Sequence, residues 1–122
     1  MKAKTDTPDF DFIARHFRVL GEAQRLHILY LLQDKERSVG ELAKALGTSQ
    51  PNVSRHLAVL LGSGIVRRRR AGNLAYFSIA APFIFELCDL MCEGVRAVSE
   101  DRAASSAPLG FQMPCAVAKE AT

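Results

Sequence analysis

What the sequence lacks limits the function classes open to it. No apolar run approaches the roughly 18 to 20 residues that a bilayer-spanning helix needs, and Met1 to Asp11 is polar, without the apolar core of a signal peptide. The expectation is a cytoplasmic protein with no membrane partner. Cysteine is scarce and odd in number, with none before Cys88 and only Cys88, Cys92 and Cys115 in all. In a compartment that keeps thiols reduced, this argues against a disulfide framework and leaves free thiols or metal ligands. There is no Cys-x-x-Cys beside a βαβ pattern and no catalytic triad set, so a small thiol redox enzyme or metal-buffering protein has little support and no enzyme is expected. No internal repeat is present.

A further absence is informative. Leu42 to Phe85 contains no Asp or Glu, while Lys44, Arg55 and Arg67 to Arg70 supply six positive charges. The other 10 basic and 13 acidic residues leave a net −3 on the rest of the chain, so the overall +3 hides a strongly segregated distribution. An acid-free, arginine-bearing middle third is suited to a polyanion.

The 122 residues, 48% hydrophobic and 24% charged, fit one globular domain. Expected boundaries are an arm over residues 1–8, a folded domain over 9–100 and an Ala, Ser and Pro rich tail over 101–122. So small a domain gains from burying more surface through oligomerisation. Phe10, Ile13, Phe17 and Leu20 recur at helical spacing in Asp9 to Leu20, and Leu26, Leu29, Tyr30 and Leu32 do so in Glu22 to Leu32. Ser38 followed by Glu41 has the form of a capping box that starts a third helix, which stops at Gly47. Thr48 and Ser49 offer N-cap oxygens and Pro51 fits the first turn of a fourth helix, running to about Leu61. Ile65 to Arg70 and Leu74 to Ile79, around Ala71-Gly72-Asn73, read as a β-hairpin. Pro82 opens a last helix to about Ser99, with Ile84, Leu87, Cys88, Met91, Val95 and Val98 in one apolar stripe that something must cover.

The fold class is therefore mainly α with a small β-hairpin, a winged helix-turn-helix. Ala43 is small enough for the third and fourth helices to cross closely, Gly47 makes the corner, and Val53 points back into the shared core. With Val53, Leu57 and Leu60 turned inward, the fourth helix offers a duplex Asn52, Ser54 and Arg55, with Gln50 and His56 flanking and Ser49 at its start. Arg55 suits guanine, Gln50 and Asn52 suit adenine, and Ser49 and Ser54 suit phosphate. On the hairpin, Arg68, Arg70 and the tip residue Asn73 are expected at phosphates or the adjacent minor groove.

The segments Leu20 to Leu29, Ser49 to Leu60, and Gly64-Ile65-Val66 leading to Arg70-Ala71-Gly72-Asn73 and Tyr76 resemble the ArsR/SmtB family of winged-helix repressors, over roughly Phe12 to Val98. The resemblance implies a homodimer joined through the first and last helices, bound to an imperfect palindromic operator and released by a metal ion, metalloid or thiol-reactive signal. The Cys-x-Cys pair that arsenic-sensing members carry at the start of the recognition helix is absent. The Asp/His/His/Glu set of zinc-sensing members is missing from the last helix. Cys88 and Cys92, four apart on one helix, could instead hold one soft ion, with Cys115 as a third thiolate suited to arsenite or another thiophile. Persulfide or oxidant sensing through Cys88 and Cys92 is the alternative, and inert core cysteines are the third possibility. No organic cofactor is expected.

Overall fold

The computed structural model describes residues 7–105, and side chains as far as Asp101. Helix α1 (Phe10–Leu20) is capped by the Asp9 carboxylate, which accepts from the Phe12 amide at 3.1 Å. Helix α2 (Ala23–Leu31) follows, then a two-residue strand β1 (Arg37–Ser38), α3 (Val39–Leu46), α4 (Gln50–Gly62), the strands β2 (Val66–Ala71) and β3 (Leu74–Ile79), and α5 (Phe83–Ser105). The chain divides into two compact units, the first ending at Ala81 and the second beginning at Pro82. Most of the expected 1–8 arm and 101–122 tail lies outside the described residues.

In the first unit, α2, α3 and α4 enclose the core. Ile28, Leu29, Leu42, Val53, Leu57 and Leu60 are all essentially inaccessible to solvent. Truncating a leucine buried this deeply costs about 2–5 kcal/mol, because lost transfer energy adds to an unfilled cavity. On α2 the buried pair is Ile28 and Leu29, whereas Leu26 and Tyr30 of the expected stripe face solvent.

Local chemistry places the helix boundaries. The Ser38 hydroxyl accepts from the Glu41 amide at 3.2 Å and the Glu41 carboxylate accepts from the Ser38 amide at 2.9 Å, the reciprocal pair that satisfies two orphan donors. At the other end of α3, Gly47 adopts φ 68°, ψ 35°, and the Thr48 amide donates to the Ala43 carbonyl at 3.1 Å. A side chain at this left-handed position would crowd its own backbone. Ser49 then caps α4 by accepting from the Asn52 amide at 3.2 Å.

Two arginines close other helix ends. Arg25 donates through Nε to the Val19 carbonyl (2.6 Å) and through Nη2 to that of Arg18 (3.2 Å), and Arg37 donates through Nε to Leu31 (2.7 Å). Carbonyls that have run out of intrahelical donors are thereby satisfied.

The sheet has three antiparallel strands in the order β1-β3-β2, one more than the expected hairpin. Arg37 pairs with Phe77 and Ser38 with Tyr76; two residues are too few to show a period of two. The β2–β3 loop holds two residues, Gly72 and Asn73, with Gly72 at φ 64°. A positive φ at the first central position matches the right-handed twist of a tight hairpin.

In the second unit, α5 runs to Ser105, six residues past the expected end. The Ala-containing stretch after Ser99 favours continuation of a helix over a break. Ile84 of the apolar stripe is buried, while Met91 and Val98 are exposed. No helix among the described residues is long and apolar enough to cross a membrane.

Candidate nucleic-acid interface

The α3–α4 corner turns one side of α4 outward. Ser49, Gln50, Pro51, Ser54, Arg55 and Ala58 are exposed, while Val53, Leu57 and Leu60 are buried beneath them. These exposed side chains are short apart from Gln50 and Arg55, so a base-pair edge can approach the helix closely.

Two of the expected contacts are placed differently. His56 is only 3% exposed, so it is no part of this face. It follows Val53 by three residues and precedes Leu60 by four, which puts it on the buried stripe. Its Nδ1 accepts from Arg25 Nη1 at 3.3 Å, leaving the proton on Nε2. Burial, and then the nearby charges of Arg55 and Arg25, hold the imidazole below its ordinary pKa despite the opposing charge of Glu22. A neutral histidine is therefore built into the joint between α2 and α4.

Asn52 is half-buried and already engaged. Its Nδ2 donates to Gln24 Oε1 on α2 (2.7 Å) and to Thr48 Oγ1 (3.1 Å), and its Oδ1 accepts from Arg55 Nη2. The amide that was expected to read adenine instead holds an arginine. Gln24 and Arg25, the two α2 residues that grip α4, were not singled out from the sequence. Contacts across 28 and 31 residues leave no periodic signal.

Pairing across the hairpin sorts the arginine run. Arg68 stands opposite Phe77 and Arg70 opposite Ala75, so both share the face of Val66 and Phe77, which are buried. Arg67 and Arg69 lie on the other face. Arg69 is committed there, with Nη2 2.7 Å from a Glu36 carboxylate oxygen and the guanidinium 5.1 Å from the Tyr76 ring centre. That pairing lowers the Glu36 pKa and raises that of Arg69. Arg68, Arg70 and Asn73 are exposed and have no ion pair among the described residues.

A family model described as "Bacterial regulatory protein, arsR family" matches residues 22–68, which span α2 through the start of β2. The chain is 40% identical over 98 residues to the uncharacterized HTH-type transcriptional regulator Rv0081 of Mycobacterium tuberculosis, covering 80% of this chain and 86% of that one. This chain belongs to the ArsR family. The family is one of DNA-binding transcriptional regulators, and α3–α4 with the β2–β3 wing is its winged helix-turn-helix. The crystal structure of Rv0081 is similar to this one with a TM-score of 0.69 at 38% identity, covering 80% of this chain and 99% of that chain. A solution structure of Mb0332 from Mycobacterium bovis, described as a homodimeric winged helix-turn-helix DNA-binding domain, is similar with a TM-score of 0.63 at 30% identity, covering 89% and 99%. A probable mercury resistance operon repressor of Streptomyces lividans is 36% identical over 95 residues, covering 78% of this chain and 73% of its own length.

Cys88 and Cys92 belong to the second unit. Cys88 is a free thiol on α5, partly buried, and burial followed by the charge of Asp89 pushes its pKa up. Cys92 is buried and disulfide-bonded, where free thiols or metal ligands were expected. Cys115 lies outside the described residues. Among those that are described, no three metal-ligating side chains cluster.

Proposed function

We propose that this ArsR-family chain is a homodimeric repressor that grips an imperfect palindromic operator through α4 and the wing. Release follows when a soft thiophilic ligand, arsenite foremost, binds its cysteine thiolates. One observation carries the DNA-binding part: Ser49, Gln50, Ser54 and Arg55 stand exposed on one side of a helix whose other side is the core. The acid-free span places Arg68 and Arg70 on the wing beside it. Base edges would be read by Gln50 and Arg55, and phosphates met by Ser49, Ser54, Arg68, Arg70 and Asn73. Asn52 acts on DNA through Arg55, and His56 stays in the core.

Apolar side chains exposed on two helices support the dimer. No residue of α1 is buried, and Phe10 is 64% exposed along with Phe12, Ile13 and Phe17. On α5, Leu90 is 67% exposed and Phe83, Met91 and Val98 also face solvent. Surfaces this apolar are costly to leave in water. A two-fold partner that covered them would repeat the recognition helix about one DNA turn away.

For the ligand, Cys88 and Cys92 sit four apart on α5, within reach of one ion when both are reduced. Cys115 would supply a third sulfur. A soft thiophile also suits the likeness to a mercury resistance repressor. Burial holds the Cys88 thiol protonated, so a soft cation such as mercuric ion must displace that proton and binds more tightly as pH rises, whereas with arsenite the thiol protons leave with the arsenic hydroxyls as water and no net proton is released. A second reading, with thiol oxidation or persulfide as the signal, is favoured by the disulfide at Cys92.

Titrating reduced protein on its upstream DNA with arsenite, mercuric ion and a persulfide donor decides among these. Arsenite should release wild-type protein but not the Cys88→Ser or Cys92→Ser variants, both of which still bind DNA. Release by arsenite in both variants would end the thiolate reading, and release by the persulfide donor alone would favour the second.

A further inference from the structure

Asn52 has a side-chain amide whose orientation is dictated by its neighbours. Gln24 presents Oε1, which can only accept, 2.7 Å from the amide, and Thr48 Oγ1 lies 3.1 Å away. Both contacts are met by the two hydrogens of Nδ2. Oδ1 must then face the opposite way, where Arg55 Nη2 donates to it. If the amide turned over, a carbonyl would face the Gln24 carbonyl and an NH2 group would face a guanidinium. The donor-only guanidinium of Arg55 fixes Oδ1 on its side, and Gln24, on α2 and outside the two reading helices, accepts from Nδ2 and ties Asn52 down in that orientation.

From this we infer that Gln24 is a positioning residue for sequence discrimination: through Asn52 it holds the Arg55 guanidinium in one orientation on the exposed side of α4. The inference rests on the DNA-binding reading of the same face. One of the five arginine N–H groups is spent on Asn52, and enough remain for a bidentate contact with guanine O6 and N7. A guanidinium restrained before the encounter discriminates better than a free one, because a swinging arginine can meet any nearby phosphate or acceptor. Gln24 would therefore affect which sequence is chosen more than how tightly DNA is held. Charge, which dominates non-specific affinity, is unaffected by changing it to a neutral residue.

The test uses the full chain and a pool of short duplexes with a randomised centre, with bound molecules sequenced. Wild-type protein should enrich a guanine in each half-site, and Arg55→Ala should erase that preference. Gln24→Met keeps the length of the side chain and removes the acceptor; it should lower the preference at that same position about tenfold, the scale of one good base contact. Gln24→Glu restores an acceptor and should keep the guanine preference even though its negative charge weakens overall binding. Retention of the unselected pool by Gln24→Met at low salt should match wild type.

Full guanine preference in Gln24→Met would overturn this inference alone, and so would an even loss at every position accompanied by a lower melting temperature. A wild-type preference that survives Arg55→Ala would overturn it as well. A wild-type chain that retains no duplex would overturn the DNA-binding reading, and this inference with it.

Discussion

Replacing Gly47 by alanine isolates the corner between the two reading helices. Gly47 sits at φ 68°, ψ 35°, and a Cβ built there meets nothing within 4 Å, so no tertiary clash contributes. The cost is that of an L-residue in the left-handed region, about 1–2 kcal/mol. It is offset by the smaller conformational freedom of alanine in the unfolded chain, about 0.4–1 kcal/mol. The net loss is about 1 kcal/mol, which lowers Tm by about 4 °C for a chain of 122 residues. Gly62 provides the control: it ends α4 at a negative φ, and its added Cβ also meets open space. There the same substitution removes backbone freedom without strain, so Gly62→Ala should be neutral or gain up to about 1 kcal/mol. Thermal unfolding followed by circular dichroism, at one fixed protein concentration, compares the two. Equal shifts, or a stabilised Gly47→Ala, would refute the claim that the left-handed backbone shapes this corner.

Other outcomes follow from the same geometry. Because His56 has its folded-state pKa depressed, the unfolded chain binds the proton more readily, and stability should fall as pH drops from about 6.5 through the folded pKa. Urea titrations over that window should show a smaller loss for His56→Gln than for wild type; parallel curves would contradict the buried neutral imidazole. Phe17→Glu should weaken the proposed dimer at least about a hundredfold, since a phenylalanine is worth roughly 1.5–3 kcal/mol and is lost twice in a two-fold interface. Sedimentation of wild type as a monomer at micromolar concentration would remove α1 from any such interface.

Much of the architecture was legible because its signals are local. The Ser38/Glu41 box, Gly47, the Ser49 cap and the Gly72-Asn73 tip each depend on residues within a few positions of one another. What depends on tertiary neighbours was not legible. His56 lies on the buried stripe of α4, but its polarity argued for the surface until Arg25 was found waiting for it. Asn52 looks like a base reader because the sequence does not reveal Gln24 beside it. The α1 stripe has the right period and yet buries nothing in a single chain, as a surface reserved for a second molecule would. Strand β1 escaped notice because two residues cannot alternate.

The central claim is that α4 and the wing hold duplex DNA together. Fluorescence anisotropy on a labelled duplex across a salt series tests it most directly, with wild type beside Arg55→Glu. If Arg68 and Arg70 each meet one phosphate in both copies, log K should fall against log salt with a slope of about −3.6 or steeper. Arg55→Glu should weaken binding at least about tenfold, the value of a charge-assisted contact replaced by repulsion. A flat salt dependence, or equal affinity in the two proteins, would contradict the account.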